Sequence, residues 1–299
     1  MNGAAESGDA DFGAGQRAAR FIQHCPIGCG APLVESLIVL PEGPLLRCAA
    51  CGQLVSQCSE SAYHAALAKW DTAAGTLPDA RSTRRHASVS RRRLATLMAM
   101  LGRRESPARL LDVGCSSGAL LRVAREMGFD SEGVEISPEA SDAARRAGFR
   151  VHTGLLEDAS YADATFDAIT LVELLEHLRE PRALLAECRR ILRPGGVMMA
   201  TTPNGASWTA VVMGARWDVF SLQGMGGHVS FFNPGSLRVL AQRAGFEVSR
   251  LETRQVRLTE KGQVPDAVYR AAKILASALD MPSRLAGAGH NLTLYARRV

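Results

Sequence analysis

From Arg109 to the end of the chain, short apolar runs alternate with amphipathic helical segments, and this alternation limits the fold more than any other feature. The runs are Arg109–Val113, Ser131–Ile136, Arg150–Thr153, Phe166–Val172, Val197–Thr201, Phe246–Glu252 and Leu292–Arg297. Helical patterns fall between them. Ala119–Met127 follows the first run, and Ser137-Pro138 opens a helix by placing proline at its first position. Arg182–Leu192 is stopped by Pro194-Gly195-Gly196, and Pro234–Ala244 is ended by Gly245. Strands that alternate with helices pair in parallel, because each crossover helix returns over one face of the sheet. Residues 107–299 therefore predict an α/β, Rossmann-like domain: a seven-stranded, mostly parallel sheet with helices on both faces. A helical insertion is expected at about 257–288.

The preceding third of the chain reads differently. Cys25-Pro-Ile-Gly-Cys29-Gly30 and Arg47-Cys48-Ala-Ala-Cys51-Gly52 flank an apolar run, Leu33–Leu40, and a turn containing Pro41, Gly43 and Pro44. Two close cysteine pairs on turns across a hairpin-sized spacer suit a tetrahedral thiolate site. A segment this short cannot bury a core alone, so a metal would supply its folding free energy. Residues 21–58 are expected to form a small N-terminal zinc ribbon with Cys25, Cys29, Cys48 and Cys51 as structural zinc ligands. His24 and Cys58 are nearby and not needed. The odd cysteine count, 7, in a chain whose start looks nothing like an export signal argues against a disulfide framework. Residues 1–20, rich in Gly, Ala and acids, read as a disordered tail without a basic start or an apolar stretch. No apolar run approaches the ~18 residues of a membrane helix. A cytoplasmic protein is expected.

Residues 59–106 read as a helical linker. Its Arg-rich stretch, Ser82–Arg93, is expected to be solvated and to run into a helix at Leu94–Leu101. The net charge of +5 comes almost wholly from arginine, since Lys69, Lys261 and Lys273 are the only lysines. Nucleic acid is the partner such a balance invites, but no aromatic side chains interleave the arginines for base stacking.

The chemistry begins at Leu111-Asp-Val-Gly-Cys-Ser-Ser-Gly118, a Gly-rich turn between a strand and a helix. Open parallel sheets bind ligands at such turns. Glu135 follows about 20 residues on, at the end of the second strand, where a carboxylate can accept both hydroxyls of a ribose. A nicotinamide-type turn would read G-x-G-x-x-G. Here Gly114 and Gly118 are separated by three residues, so a dehydrogenase does not fit.

The turn and later blocks together resemble the class I S-adenosylmethionine-dependent methyltransferases. The later blocks are Phe166-Asp167, Leu175-Glu176-His177-Leu178, Leu192-Arg-Pro-Gly-Gly196, Thr202-Pro203-Asn204, Gly227-His-Val-Ser-Phe-Phe232 and Leu240–Phe246. The likeness covers about Leu110–Arg298 and is nearest the ubiquinone-biosynthesis O-methyltransferase branch. It implies S-adenosylmethionine as cofactor and a small-molecule acceptor: a metabolite, sugar or natural product, with O-methylation first among oxygen, nitrogen and carbon. An RNA base methyltransferase using the ribbon and Arg-rich linker is the alternative; a non-catalytic scaffold is disfavoured by the intact set Asp112, Gly114, Gly118 and Glu135.

The resemblance also assigns cofactor roles. Asp112 and Gly114 would face the methionine part, with Cys115 and Ser116 in the same turn and Gly118 giving close approach. Glu135 would hold the ribose and Ile136 would pack on adenine. Val172 would line the site near the sulfonium. The family's turn usually has Gly where Ser116 stands. It often has Asp at the position of Leu155, so the backbone of Leu156 and the carboxylate of Glu157 become the adenine contacts.

Two histidines are candidate catalytic groups. His228, in Gly224-Met-Gly-Gly-His-Val-Ser, falls in an expected substrate lid at about 204–233, and an imidazole suits a base at neutral pH. His177, with Glu173 and Glu176 at i, i+3, i+4, would share one face if helical and could hold a divalent cation. Ordinary packing roles remain open for both. Trp208, Trp217, Phe220 and Phe231 either line an apolar acceptor pocket or belong to the core.

Overall fold

The computed structural model describes residues 20–73, 80–102, 105–224 and 226–299. The expected tail at 1–20 therefore lies, except for Arg20, outside the described residues. In chain order the strands and helices are β1 (Leu33–Leu40), β2 (Gly43–Cys48), β3 (Leu54–Val55), α1 (Glu60–Ala73), α2 (Ala80–Leu101), β4 (Arg109–Val113), α3 (Ala119–Glu126), β5 (Asp130–Glu135), α4 (Pro138–Arg146) and β6 (Arg150–Thr153). There follow β7 (Phe166–Val172), α5 (Pro181–Ile191), β8 (Leu192–Pro203), α6 (Trp208–Met213), β9 (Ser230–Phe231), α7 (Pro234–Arg243), β10 (Phe246–Arg254), α8 (Asp266–Ala278), α9 (Asp280–Leu285) and β11 (Asn291–Arg298).

The main sheet has seven strands in the order β10-β11-β8-β7-β4-β5-β6. β4 pairs in parallel with both β5 and β7, and β11 runs antiparallel between β8 and β10. This is the Rossmann-like, mostly parallel sheet that the alternation predicts. The order reverses at β4, so the carboxyl ends of β4, β5 and β7 splay apart and leave a crevice there. Central strands read as unbroken apolar runs because both faces are covered. β7 is buried along its first six residues, and Leu110 and Leu111 of β4 are fully enclosed. α4 starts as expected, with Ser137 Oγ accepting from the Ala140 amide and proline at the first turn.

Two differences from the sequence reading have physical causes. Helix α2 begins at Ala80, some fourteen residues before the expected Leu94. The Arg-rich stretch has no Gly or Pro to break a helix, arginine is a good helix former, and Leu94 and Leu97 anchor the helix in the core. Arg91 pairs with Glu126 of α3 at 2.6 Å. The second difference is the ribbon's sheet. β1, β2 and β3 pair in order, and β3 then takes β9 as its neighbour, Leu54 opposite Phe231 and Val55 opposite Ser230. The ribbon is thus joined by backbone hydrogen bonds to the segment expected as a lid.

Candidate active site

The cofactor side is built within one strand–turn–helix unit and its neighbour strand. Asp112, 2% exposed, ends its reach at Thr170, whose hydroxyl donates to Oδ1 at 2.6 Å. Burial, helped by the nearby Glu135 charge, raises its pKa to about 7. The Gly114 and Cys115 amides both donate to the Val134 carbonyl, at 2.8 and 3.1 Å. Gly118 adopts φ 81°, and a Cβ there would sit 3.0 Å from the Phe149 ring, so only glycine lets α3 close onto the turn.

Ser116 takes φ 48° without being glycine. A left-handed L-residue costs about 1–2 kcal/mol. Glu135 offsets this: its Oε2 accepts from the Ser116 amide at 2.8 Å, and its Oε1 accepts from the Ser137 amide at 3.0 Å. An ionised carboxylate offers about four lone-pair positions. Two remain for a ligand's hydroxyls. Ile136 beside it is 55% exposed, a bare apolar side chain at the crevice.

The other expected cofactor residues are placed unevenly. Cys115 points its thiol into the core under β5, so close that a Cβ on Gly133 would lie 2.4 Å from the sulfur. Only its backbone faces the turn. The Leu156 side chain is buried at 2%, leaving its backbone, while Glu157 is exposed. Asp158 was not among the expected residues. It is exposed and accepts from the Leu155 amide at 3.2 Å, which sets a carboxylate beside the backbone of Leu155. The Glu157-Asp158 doublet was the available signal.

On the acceptor side, Val172 is half-buried at the end of β7, and Glu173 follows it with φ 52°. Leu174 then covers the turn: a Cβ on Gly114 would lie 3.4 Å from its Cδ1. Glu173 keeps contact with solvent but is enclosed on most sides by protein. Its amide donates to the Thr201 carbonyl at 3.0 Å and its Oε1 accepts from Thr201 Oγ1 at 2.9 Å. Enclosure raises its pKa, opposed by the Thr201 bond and by the charges of Arg93 and Arg257.

The helical face expected for Glu173, Glu176 and His177 does not form. Only Leu175–His177 make a 3-10 turn, and Glu173 precedes it in the left-handed region. Instead the chain gathers Glu176, His177 and His228, with ligand atoms within 4.8 Å of one another. His228 is 3% exposed, and its Nδ1 contacts the Val219 carbonyl at 3.1 Å. Its ring meets His177 edge-on at 4.6 Å. Burial lowers His228 to about 3 and His177 to about 4, so both are neutral at physiological pH. Burial, reinforced by Glu173, holds the Glu176 carboxyl well above the usual carboxylate range. Among the described residues, neither Glu176 oxygen nor His177 Nδ1 makes a hydrogen bond of good geometry, although Thr202 lies near Glu176 and the Gly226 and Gly227 backbone near His177.

The expected lid is a packed layer. Trp217, Phe220 and Phe231 are almost fully enclosed and cluster with Leu40, Leu45 and Leu54 of the ribbon, while Trp208 is half-buried. The ribbon also reaches the acceptor side through polar bonds. Ser56 donates its amide to the Val229 carbonyl at 2.9 Å, and Asn233 Nδ2 donates to the Cys51 carbonyl at 3.0 Å. Tyr63 Oη of α1 donates to the His177 carbonyl at 2.8 Å.

The four cysteine sulfurs lie within 4.8 Å of one another, with Cys25 and Cys51 3.6 Å apart. Zinc–sulfur bonds of about 2.3 Å at tetrahedral angles place sulfurs about 3.8 Å apart. Gly28 and Gly52 donate amides to the Cys25 and Cys48 carbonyls and close the two turns. Burial pushes the Cys25 thiol up to about 11, while neighbouring backbone groups hold Cys48 down. The donor set and spacing fit zinc. Cys58 stands outside the cluster, and His24 is exposed.

A sheet whose strand order reverses at β4, with a Gly-containing turn after β4 and a carboxylate at the end of β5, is the arrangement of the Rossmann-like methyltransferase fold. Residues 83–251, more than half of the chain, match the family described as methyltransferase domain, and the chain belongs to that family of S-adenosylmethionine-dependent methyltransferases. It is 32% identical over 153 residues to a ubiquinone biosynthesis O-methyltransferase of Thiobacillus denitrificans, covering 48% of this chain and 66% of that protein. The corresponding protein of Cereibacter sphaeroides is 32% identical over 148 residues, covering 46% and 60%. The matched stretch thus spans less than two thirds of each relative. Among solved structures, a SAM-dependent methyltransferase from Thermotoga maritima has TM-score 0.50 at 18% identity, covering 71% of this chain and 89% of that one. One from Archaeoglobus fulgidus has TM-score 0.51 at 18% identity, covering 71% and 94%. Both show the shared fold. No helix among the described residues is long and apolar enough to cross a membrane.

Proposed function

We propose that this chain methylates a small molecule, with a hydroxyl oxygen as the acceptor atom. The observation that carries the cofactor reading is Glu135 at the switch point, where each carboxylate oxygen accepts one backbone amide and keeps capacity for a further bond. The bound cofactor supplies an already activated methyl group. Glu135 holds its ribose hydroxyls, Ile136 covers adenine, and the Leu156 backbone with the Glu157 carboxylate meets the adenine edge. Asp112 and the Gly114–Gly118 turn hold the methionine part, and Val172 lines the reacting end. Alignment contributes most of the rate, since effective molarity from a held geometry is large.

Proton removal from the acceptor falls to Glu173. It follows Val172 at the end of β7, is open to solvent, and enclosure raises its pKa above that of a free carboxyl. His228 was the expected base. Its enclosure and its pKa near 3 make it a weak proton acceptor, and the same argument applies to His177. A second reading concerns these two with Glu176. The carboxylate oxygens and His177 Nδ1, which make no hydrogen bond of good geometry, favour a divalent cation bound among the three. Cys25, Cys29, Cys48 and Cys51 hold a structural zinc.

The test is transfer of a labelled methyl from S-adenosylmethionine into a metabolite extract, with the product identified by mass. A labelled phenol, catechol or sugar hydroxyl that disappears with Glu135→Ala supports the reading. Label found only in RNA favours the alternative that uses the ribbon and the Arg-rich helix.

A further inference from the structure

We propose that the outer face of α8 and α9 docks on an anionic membrane surface. The proposal is independent of the acceptor assignment. In α8, Val268, Ala271 and Leu275 lie at i, i+3 and i+7, with Ile274 and Ala278 on the adjoining strip. At 100° per residue these five positions fill one arc of about a third of the helix. The whole arc is exposed: Val268 52%, Ile274 75% and Leu275 53%, with both alanines also open. α9 continues the apolar surface with Met281 at 57% and Leu285 at 84%, four residues apart on one face. The opposite arc of α8 is the one that packs on the protein, through Ala276 with Tyr269 and Ala272 half-buried. This is therefore an apolar face in addition to the core-facing one.

The third arc decides the occupant. Arg270 and Lys273 are exposed there, and between Asp266 and Asp280 the helix carries no acid. Asp280 is engaged by the Gln255 amide at 2.7 Å, and Asp266 sits in the first turn, where a carboxylate complements the helix dipole. Lys261 precedes the helix, so two of the chain's three lysines fall in this one segment. An apolar face flanked by cations is the pattern of a helix that lies in the bilayer interface, with its cations at anionic headgroups. A second copy of the chain would instead bring two basic edges together. β10 runs parallel to β8, so α8 leaves the sheet at the crevice end. Docking would set the mouth of the crevice beside the bilayer.

Flotation of the full-length protein with vesicles tests this. One set is phosphatidylcholine alone; the other contains about a third phosphatidylglycerol. The expected result is binding to the anionic set, reversed by high salt, and a bound fraction lower by about tenfold in Ile274→Glu/Leu275→Glu. Both positions are exposed, so the melting temperature should stay at the wild-type value. If that variant fails to fold, Arg270→Gln/Lys273→Gln serves in its place and should lose binding to the anionic set. No flotation with anionic vesicles, or flotation unchanged in a folded variant, overturns the proposal. So does light scattering that shows a dimer dissolved by Ile274→Glu/Leu275→Glu while vesicles are ignored, since the face would then hold a second copy.

Discussion

At the Gly114 turn, residues from Gly114 to Ser137 hold one another: Glu135 fastens Ser116 and Ser137, and Val134 fastens Gly114 and Cys115. At His228 nothing local suffices. Its surroundings come from the 3-10 turn at Leu175–His177, from Val219, from α1 through Tyr63, and from the ribbon through β3 and Ser56. The cofactor turn is organised mostly by near neighbours in sequence, whereas the His228 region also depends on α1 and the ribbon, more than a hundred residues away in the chain. A disturbance of the ribbon should therefore reach the acceptor side and spare the cofactor turn.

The sharpest way to break this comparison is Cys48→Ser. Structural zinc supplies much of the folding free energy of small thiolate sites, about 10–16 kcal/mol in isolated fingers. The variant should lose its zinc by elemental analysis and lose protection of the amides of residues 226–233 in hydrogen exchange. Its affinity for S-adenosylhomocysteine should change little. Equal loss of both halves would show that they fold as one unit. Because it lacks zinc at the cysteines, the same variant also reports any cation at Glu176, His177 and His228.

Glu173→Gln sharpens the acceptor side. It keeps the shape and the Thr201 contact but removes the base. The expected loss in kcat is about 100-fold, with cofactor affinity near wild type, and the loss should shrink at high pH, where a hydroxyl ionises unaided. Full activity in a folded Glu173→Gln protein would leave alignment as the whole catalytic account.

Stability should also divide by pH. His228 and His290 are each 3% exposed, and burial holds both at about 3 against about 6.5 unfolded. A base depressed in the fold is stabilised as neutral above its unfolded pKa, and that stability is lost as pH falls. Each histidine should cost up to about 1.4 kcal/mol per pH unit below 6.5. Urea melts at stepped pH should show the slope, and His228→Asn should flatten it. A slope unchanged in that variant would mean that His228 titrates normally.

Asp112 gives a smaller effect in the other half. Its carboxyl is raised to about 7 in the protein without ligand. If the cofactor's ammonium needs it ionised, binding below pH 7 expels a proton, and affinity should fall by up to tenfold per pH unit. Calorimetry in buffers of different ionisation heat measures that proton. A flat profile would confine Asp112 to its bond with Thr170.

The same division explains what could be read from the chain. The strands, the turn, Glu135 and the opening of α4 depend on local pattern and short-range geometry, so alternation and spacing were enough. The two cysteine turns were legible for the same reason, since each closes on its own glycine. The two-residue strand β9 has no propensity signal of its own and exists because β3 pairs with it. Hence the sequence alone suggests a lid where the structure has a packed layer, and a loop base at His228 where the structure has an enclosed imidazole. Glu173, Glu176 and His177 fit a helical spacing, but β7 is followed by a left-handed residue, Glu173, and the spacing has no helix to act on. The Arg-rich stretch reads as solvent-facing linker because its arginines outnumber its anchors; Leu94 and Leu97, at one end, are enough to dock the continuous helix.

The central claim is that the crevice at β4 binds the methyl donor through Glu135. Calorimetric titration with S-adenosylhomocysteine tests it most directly, with NAD as the comparison ligand. The account predicts one site for S-adenosylhomocysteine, no binding of NAD, and a loss of about 1.5–3 kcal/mol in Glu135→Ala, the scale of hydrogen bonds to a charged group. Tight NAD binding without S-adenosylhomocysteine binding, or full affinity in a folded Glu135→Ala protein, would contradict it.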